Sequence, residues 1–218
     1  MNDLISVIIP CKNGENYLAE ALDGIIKQKM NVEIIVVDDA STDKTSDIAL
    51  KYGCKVIHQG ISKGPVVAKN VGLGVAQGQY ILFHDHDDVM RDGALATLYS
   101  TLTKDSELSA VMGKVQDFLS PGVFLSDMTI QKDAYWGLFT GAFLLKKAVF
   151  DKIGMFSENL TAGEIMELMQ KMDVASLKVE KIDFVTTNRR IHNCNFGRTN
   201  RDKEFKDYAR ILRARMHN

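Results

Sequence analysis

Cysteine is scarce in this 218-residue sequence: Cys11, Cys54 and Cys194 stand far apart and form no CxxC pair. An odd, scattered set excludes a disulfide framework and offers no zinc site, so reduced thiols in a cytoplasmic setting are expected. Long apolar runs are missing as well. No stretch approaches the roughly 20 apolar residues that a bilayer-spanning helix needs, and Leu4–Pro10 lacks the length, basic flank and cleavage site of a signal peptide. Neither sign of charge is in excess, since 27 Lys and Arg face 28 Asp and Glu for a formal net charge of −1. That balance provides no electrostatic footprint for nucleic acid. Repeats and low-complexity linkers are absent too. Asn159-Leu160-Thr161 matches a glycosylation acceptor, an accidental match where no export signal is read.

What is present is the composition of a soluble globular protein, 45% hydrophobic and 25% charged. The length suits one α/β domain with a sizeable core. Apolar runs at Leu4–Ile9, Val32–Val37 and Tyr80–Phe83 read as strands, the first stopped by Pro10, and Lys55–His58 reads as a short strand. Helical spacing follows at Asn13–Lys29, Asp43–Tyr52 (closed by Gly53), from Pro65 to about Ala76, and from about Asp92 to Leu102. Non-alternating runs that each precede a helix predict parallel strands buried on both faces of an open sheet. Ligands in such sheets bind beyond the carboxyl ends of the strands.

The later half is less regular. Strands are expected at Ser109–Phe118, Val123–Leu125, Phe143–Leu145 and Asp183–Thr187, with a turn at Ser120-Pro121-Gly122. Helices are expected around Ala148–Lys152 and Glu164–Met172. A terminal amphipathic helix would carry Phe205, Tyr208, Leu212 and Met216 on one face. The domain is therefore divided as 1–103 for a nucleotide-binding half, 104–198 for an acceptor-side half and 199–218 for the terminal helix.

Two strand ends carry clustered acids. Tyr80-Ile81-Leu82-Phe83 runs into His84-Asp85-His86-Asp87-Asp88, and Ile34-Ile35-Val36-Val37 runs into Asp38-Asp39. Carboxylates gathered at one rim repel one another unless neutralised, so a divalent cation is the expected occupant. Gly72-Leu73-Gly74-Val75-Ala76-Gln77-Gly78 is not a phosphate loop, because it ends a helix instead of following a strand.

In order and spacing the motifs resemble the family-2 glycosyltransferases of GT-A fold, over nearly the whole chain. Ser6-Val7-Ile8-Ile9-Pro10 is similar to the family's opening strand. Val36-Val37-Asp38-Asp39-Ala40-Ser41-Thr42-Asp43 resembles its nucleotide-contacting loop. Gly64-Pro65-Val66-Val67-Ala68-Lys69-Asn70 resembles its Ala-Arg-Asn helix, with Lys69 in place of arginine. Asp85-His86-Asp87 stands at the DxD segment, Phe139-Thr140-Gly141 and Val149 through Phe156 at the acceptor side, and Arg190-Ile191-His192 at the late Arg-x-His element.

The resemblance implies an inverting transferase of hexosyl or N-acetylhexosaminyl type. Its donor would be a nucleotide sugar with uracil as the expected base, and its acceptor a hydroxyl on a glycan, lipid-linked or other molecule. The setting implied is bacterial surface-polysaccharide assembly, in the cytoplasm or at the inner face of the membrane. Pro10, Asp38, Asp39, Lys69, Asp85 and His86 would contact the nucleotide sugar, and Asp85, Asp87 and His192 would hold Mn2+ or Mg2+. A carboxylate suits the base N–H and ribose hydroxyls as their acceptor; the alternative for Asp38 or Asp39 is an Asx turn capping the next helix. Lys63 and Lys69 are candidates to balance the diphosphate, or to be solvated.

Inverting transfer needs a base near the acceptor hydroxyl. The family places a Glu-Asp pair after the segment matching Phe156-Ser157-Glu158, with the aspartate as base, whereas this chain reads Glu164-Ile165. Glu164 is the expected catalytic base, with Glu158 and Glu167 behind it; its alternative role is a charge favoured at a helix N-terminus. His192 is either a phosphate or metal contact or a structural residue, and Tyr135 and Trp136 either stack on the acceptor or pack in the core. The terminal helix is a candidate for packing, dimerisation or peripheral membrane contact. The rival function is a nucleotide- or glycan-binding protein of the same fold that has lost its base. A nucleotidyltransferase ranks last, since Cys11-Lys12-Asn13-Gly14 is not the basic glycine-rich loop it requires.

Overall fold

The computed structural model describes residues 3–123, 130, 131, 133–195 and 201–216. Of the expected strand Val123–Leu125, residues 124 and 125 lie outside them. The strands are β1 (Ile5–Cys11), β2 (Val32–Asp38), β3 (Lys55–His58), β4 (Tyr80–Phe83), β5 (Val89–Met90), β6 (Leu108–Leu119), β7 (Phe143–Lys146) and β8 (Lys178–Ile191). They form one sheet in the order β3-β2-β1-β4-β7-β6-β8-β5. Pairing is parallel from β3 through β4 and between β6 and β8, and antiparallel where β7 and β5 join. The helices are α1 (Leu18–Ile26), α2 (Thr45–Lys51), α3 (Pro65–Val75), α4 (Ala94–Lys104), α5 (Ala148–Ile153), α6 (Glu164–Val174) and α7 (Arg201–Met216). The architecture is the mostly parallel, helix-flanked single sheet that the sequence leads one to expect.

Each central strand is buried on both faces, which explains its unbroken apolar run. Strand periodicity sends Ile5, Val7 and Ile9 to one side, where Leu18, Leu22 and Ile25 of α1 and Leu95, Leu98 and Leu102 of α4 cover them. Ile8, Ile35, Val37, Ile81 and Phe83 face the opposite core with Val66, Leu73, Phe150, Ile165 and Leu168. Both layers leave the carboxyl edge of β1, β2 and β4 open.

Pro10 does not stop β1. It stays in register opposite Val37, while pairing with β4 ends at Ile8 and Phe83. The proline nitrogen therefore faces the side where no neighbouring strand remains, and the missing N–H costs no ladder bond. Strand β8 is far longer than Asp183–Thr187, because its polar first half lies half-exposed alongside β6. Strand β5 has only two residues, Val89 and Met90, paired with Asn188 and Thr187. That short pairing carries the chain leaving β4 onto the end of β8.

Helix α7 presents only part of its expected face inward: Tyr208 lines the cavity at the carboxyl edge of the sheet, and the side chain of Met216 lies outside the described residues. Asp207 and Ile211 are buried, whereas Phe205 and Leu212 are 59% and 50% exposed. Ile211 joins the core beneath α6.

Candidate active site

A cavity of about 810 Å³ opens beyond the carboxyl ends of β1, β2 and β4. Pro10 and Cys11 form its floor, and Asp39, Lys69, Asp85, His86, Asp87, Glu164 and His192 all line it. Acids from two separate strand ends thus face one space. Burial pushes the Cys11 thiol far up, so it stays protonated.

Asp38 and Asp39 have different surroundings. Asp38 accepts from the Ser41 N–H at 2.8 Å and from the Ser46 hydroxyl, with His58 Nδ1 at 3.5 Å. Burial would raise its pKa, but these hydrogen bonds and His58 hold the carboxyl below the usual range. It ties the loop after β2 to α2, as in the Asx-turn alternative, and its side chain is not among those lining the cavity. Asp39 does line it. Its two oxygens accept from Ser62 Oγ at 2.7 Å, Lys63 N–H at 2.7 Å and Gly64 N–H at 2.9 Å, so it organises the loop that enters α3 at Pro65.

The segment after β4 is pinned from several directions. Arg190 donates its backbone N–H to Asp88 Oδ1 at 2.9 Å, its Nε–H to the Asp87 carbonyl at 2.8 Å and an Nη2–H to Glu20 at 2.5 Å. Its guanidinium lies between the rings of Tyr17 and Phe118. Burial, with Asp87 and Asp85 nearby, raises the Asp88 pKa well above the carboxylate range. Burial acts the same way on Asp87, but there His192 and the charges around it prevail and hold the carboxyl low.

His192 Nε2 lies 2.8 Å from Asp87 Oδ2, joining residues 105 positions apart. The Cys194 N–H donates to His192 Nδ1 at 3.2 Å, so in this arrangement Nε2 carries the proton and donates to Asp87. Asn195 completes the arrangement: it accepts from the His192 N–H at 2.6 Å and donates to the Arg190 carbonyl at 3.0 Å and to Asp87 Oδ2 at 3.3 Å. Arg190 is thus a brace and Asn195 a clamp, two roles that residue order does not display. The only sequence signal for Asn195 is an amide three residues after a candidate histidine.

Lys69 is 3% exposed and bonded to Glu164, with Asp85 Oδ1 at 3.7 Å. Burial would lower its pKa, but Glu164 and Asp85 outweigh that and raise it, so the ammonium stays charged. Glu164 opens α6 after Gly163, a left-handed N-cap with φ +80°. Ile165, in the position where the family carries its aspartate, is 3% exposed and packs into the core. Glu158 lines the cavity, whereas Glu167 is taken up by the N–H and hydroxyl of Ser157. Tyr135 bonds Asp117 and Trp136 bonds the Ile182 carbonyl; neither lines the cavity, and Phe139 takes that place.

Among the described residues no three of His, Cys, Asp and Glu stand close enough to hold a metal unaided. Mg2+ and Mn2+ are usually held by one or two carboxylates together with substrate phosphates and water. The oxygen-rich pair Asp85 and Asp87, with an imidazole against Asp87, fits that mode.

The profile described as glycosyl transferase family 2 matches residues 6–160. Glycosyltransferase GlyG of Streptococcus pneumoniae is 28% identical over 235 residues, covering 97% of this chain and 78% of that protein. Among solved structures, residues 1–349 of S. aureus TarS in complex with UDP align with a TM-score of 0.72 at 22% identity, over 99% of this chain and 64% of that one. Mannosyltransferase PcManGT from Pyrobaculum calidifontis, in complex with GDP-Man and Mn2+, aligns with a TM-score of 0.78 at 16% identity, over 100% and 65%. The chain thus spans under two thirds of those two solved chains, and the likeness to them is one of fold.

Proposed function

The chain belongs to glycosyl transferase family 2 and is a glycosyltransferase, and on that premise we propose that it moves a sugar from a uridine-linked donor to an acceptor hydroxyl with inversion. The carrying observation is that Asp39, Asp87, Lys69 and Glu164 face a single cavity, with Lys69 spanning Asp85 and Glu164. In this reading Asp39 lies at the nucleoside end, beside a floor that includes Pro10. Asp85, Asp87 and His192 would hold Mn2+ or Mg2+, which supplies neutralisation of the charge on the departing diphosphate. Lys69 and His86 add positive or hydrogen-bonding groups on the same side. For His192 Nε2 to ligate the cation, its proton must move to Nδ1, which opens the bond from the Cys194 N–H.

The acceptor oxygen attacks the anomeric carbon while the bond from that carbon to the diphosphate oxygen breaks. Glu164 takes the hydroxyl proton, and the nucleoside diphosphate leaves. The setting in this reading is bacterial surface-glycan synthesis on the cytoplasmic side of the membrane; the likeness to GlyG, a glycosyltransferase of a bacterium, supports the bacterial part of it. No helix among the described residues is long and apolar enough to cross a membrane.

A second reading, a nucleotide- or glycan-binding protein without turnover, is favoured by one observation. The usual aspartate position is the buried Ile165, and the remaining carboxylate, Glu164, is paired with Lys69. Thermal unfolding with UDP or GDP, each with and without Mn2+, tests the donor assignment. UDP with Mn2+ at about 100 times its Kd should stabilise by about 2.7 kcal/mol, which is roughly 5–11 °C for a chain of this size. An equal response to GDP, or none to Mn2+, refutes that assignment. UDP release from UDP-sugars then separates the two readings: turnover that disappears in Glu164→Gln while UDP binding persists supports the base, and tight binding without turnover in the native chain supports the rival.

A further inference from the structure

Helix α7 lies outside the 6–160 stretch that matches the family profile, yet Lys203 and Tyr208 on it line the same cavity as Glu164. Its inward face is unusual for a packing helix because it presents a carboxylate. Asp207 is 8% exposed, and burying a charge is costly unless hydrogen bonds compensate. Here they do. Asp207 Oδ2 accepts from the Thr161 N–H at 2.7 Å and the Ala162 N–H at 3.2 Å, and Oδ1 accepts from Arg210 Nη2 at 3.0 Å. Arg210 Nη2 also donates to the Asn159 carbonyl at 2.9 Å.

Backbone groups at 159, 161 and 162 are therefore held by two α7 side chains one turn apart. The next residue, Gly163, has φ +80°, and a Cβ there would stand 2.9 Å from the Tyr208 ring and 3.1 Å from Ile211 Cδ1. Only glycine lets the chain pass beneath α7 in that conformation. Glu164 follows directly, as the first residue of α6. Its carboxylate is fixed at one end by Lys69 and at the other by where this loop releases the backbone.

We infer that α7 is a wall of the acceptor end of the site and that Asp207 is a positioning residue for Glu164. The inference rests on Glu164 acting as the base, and the test separates the two. Full-length Asp207→Ala, Asp207→Asn and Glu164→Gln are compared by UDP release from UDP-sugars with Mn2+, by UDP affinity, and by hydrogen exchange at the Thr161 and Ala162 amides. Asp207→Ala should lower kcat roughly 10- to 100-fold, as expected for a displaced catalytic group, with donor KM and UDP affinity unchanged and both amides exchanging faster. Asp207→Asn keeps an acceptor oxygen for the two N–H groups, so it should restore most of kcat.

Unchanged kcat in Asp207→Ala, or Asn no better than Ala, overturns the positioning role. Full activity in Glu164→Gln removes the base assignment instead, and with it Asp207's route to the chemistry. Should Asp207→Ala not fold, Arg210→Gln releases the Asn159 carbonyl and Asp207 Oδ1 while the Thr161 and Ala162 N–H groups keep their bonds to Oδ2, and it reads the same loop. A native kcat there, despite faster exchange at residues 159–162, also overturns the inference.

Discussion

Lys69 Nζ contacts Glu164 and stands 3.7 Å from Asp85 Oδ1, so one buried ammonium links the loop after β4 to the start of α6. The two carboxylates come from opposite halves of the sequence. Without the lysine they would share a cavity with no charge between them.

Removing that charge should therefore cost both stability and activity. Breaking a buried pair from one side typically costs about 3–5 kcal/mol. Asp85 is 37% exposed at its side chain, so the lower end applies. Urea denaturation of Lys69→Met should show a loss of about 3 kcal/mol, with UDP release falling to background. Lys69→Arg restores the charge and should recover much of the stability; a Lys69→Met variant as stable as the native chain contradicts the bridging role.

His192 provides a direct view of cation binding. In this arrangement Nδ1 accepts the Cys194 N–H and Nε2 faces Asp87. Nitrogen NMR of labelled imidazole should report a protonated Nε2 in the free protein. Adding Mg2+ with UDP should move the proton to Nδ1 if Nε2 becomes a ligand. A tautomer that stays put, with UDP binding still metal-dependent, assigns His192 to Asp87 alone.

Asp39 is expected to act through the loop it holds. Asp39→Ala leaves the Lys63 and Gly64 N–H groups and the Ser62 hydroxyl without their acceptor; these donors are near solvent, so each loss costs about the 0.5–1.5 kcal/mol of an ordinary hydrogen bond. Calorimetry should show UDP affinity falling at least 10-fold, the equivalent of about 1.4 kcal/mol. Asp38→Asn, whose side chain faces α2, should leave UDP affinity near native while lowering thermal stability.

Acid stability should report Glu33. Burial would raise its pKa, but bonds from the Ser6 hydroxyl and the Gln77 and Gly78 N–H groups hold it below its ordinary 4.5. The unfolded chain therefore takes up the proton at higher pH than the folded one. The stabilisation is present above about pH 4.5 and is lost as pH falls through the lower folded value. Glu33→Gln should be less stable at neutral pH, with the gap narrowing in acid; a pH-independent gap argues against the charge.

Much of this organisation is legible from residue order. Strands β1 and β4 are apolar because both faces are covered, and that burial is visible as unbroken runs. That Asp39, Lys69, Asp85, Asp87 and Glu164 meet at one cavity is readable because motif spacing survives the replacement of arginine by Lys69 and of aspartate by Ile165. Strand β5 is not readable: two residues carry no period, and only their partners on β8 make them a strand. The face of α7 is legible only in part: apolar spacing finds Tyr208 but also points to the exposed Phe205 and Leu212, while a buried position belongs to a carboxylate paired with backbone N–H groups. Asn195 and Asp207 escape for a shared reason. Each works on main-chain atoms of a distant loop, and main-chain partners leave no trace in side-chain identity.

The irregular register of β6 against β8 has a consequence for how this protein tolerates change. Partners step from Met112–Lys181 to Lys114–Val185 and then to Val115–Thr187, and Gly113 lies between them with Thr186 too close to admit a Cβ. Beyond these offsets the ladder runs evenly to Leu119–Ile191, one residue short of His192. Loops elsewhere can lengthen or shrink, but losing one residue here would slide the strand by about 3.3 Å and invert its faces. The histidine's meeting with Asp87 is thus measured out along the ladder, and insertions or deletions between residues 112 and 191 within these two strands should be the ones this fold does not survive as an enzyme.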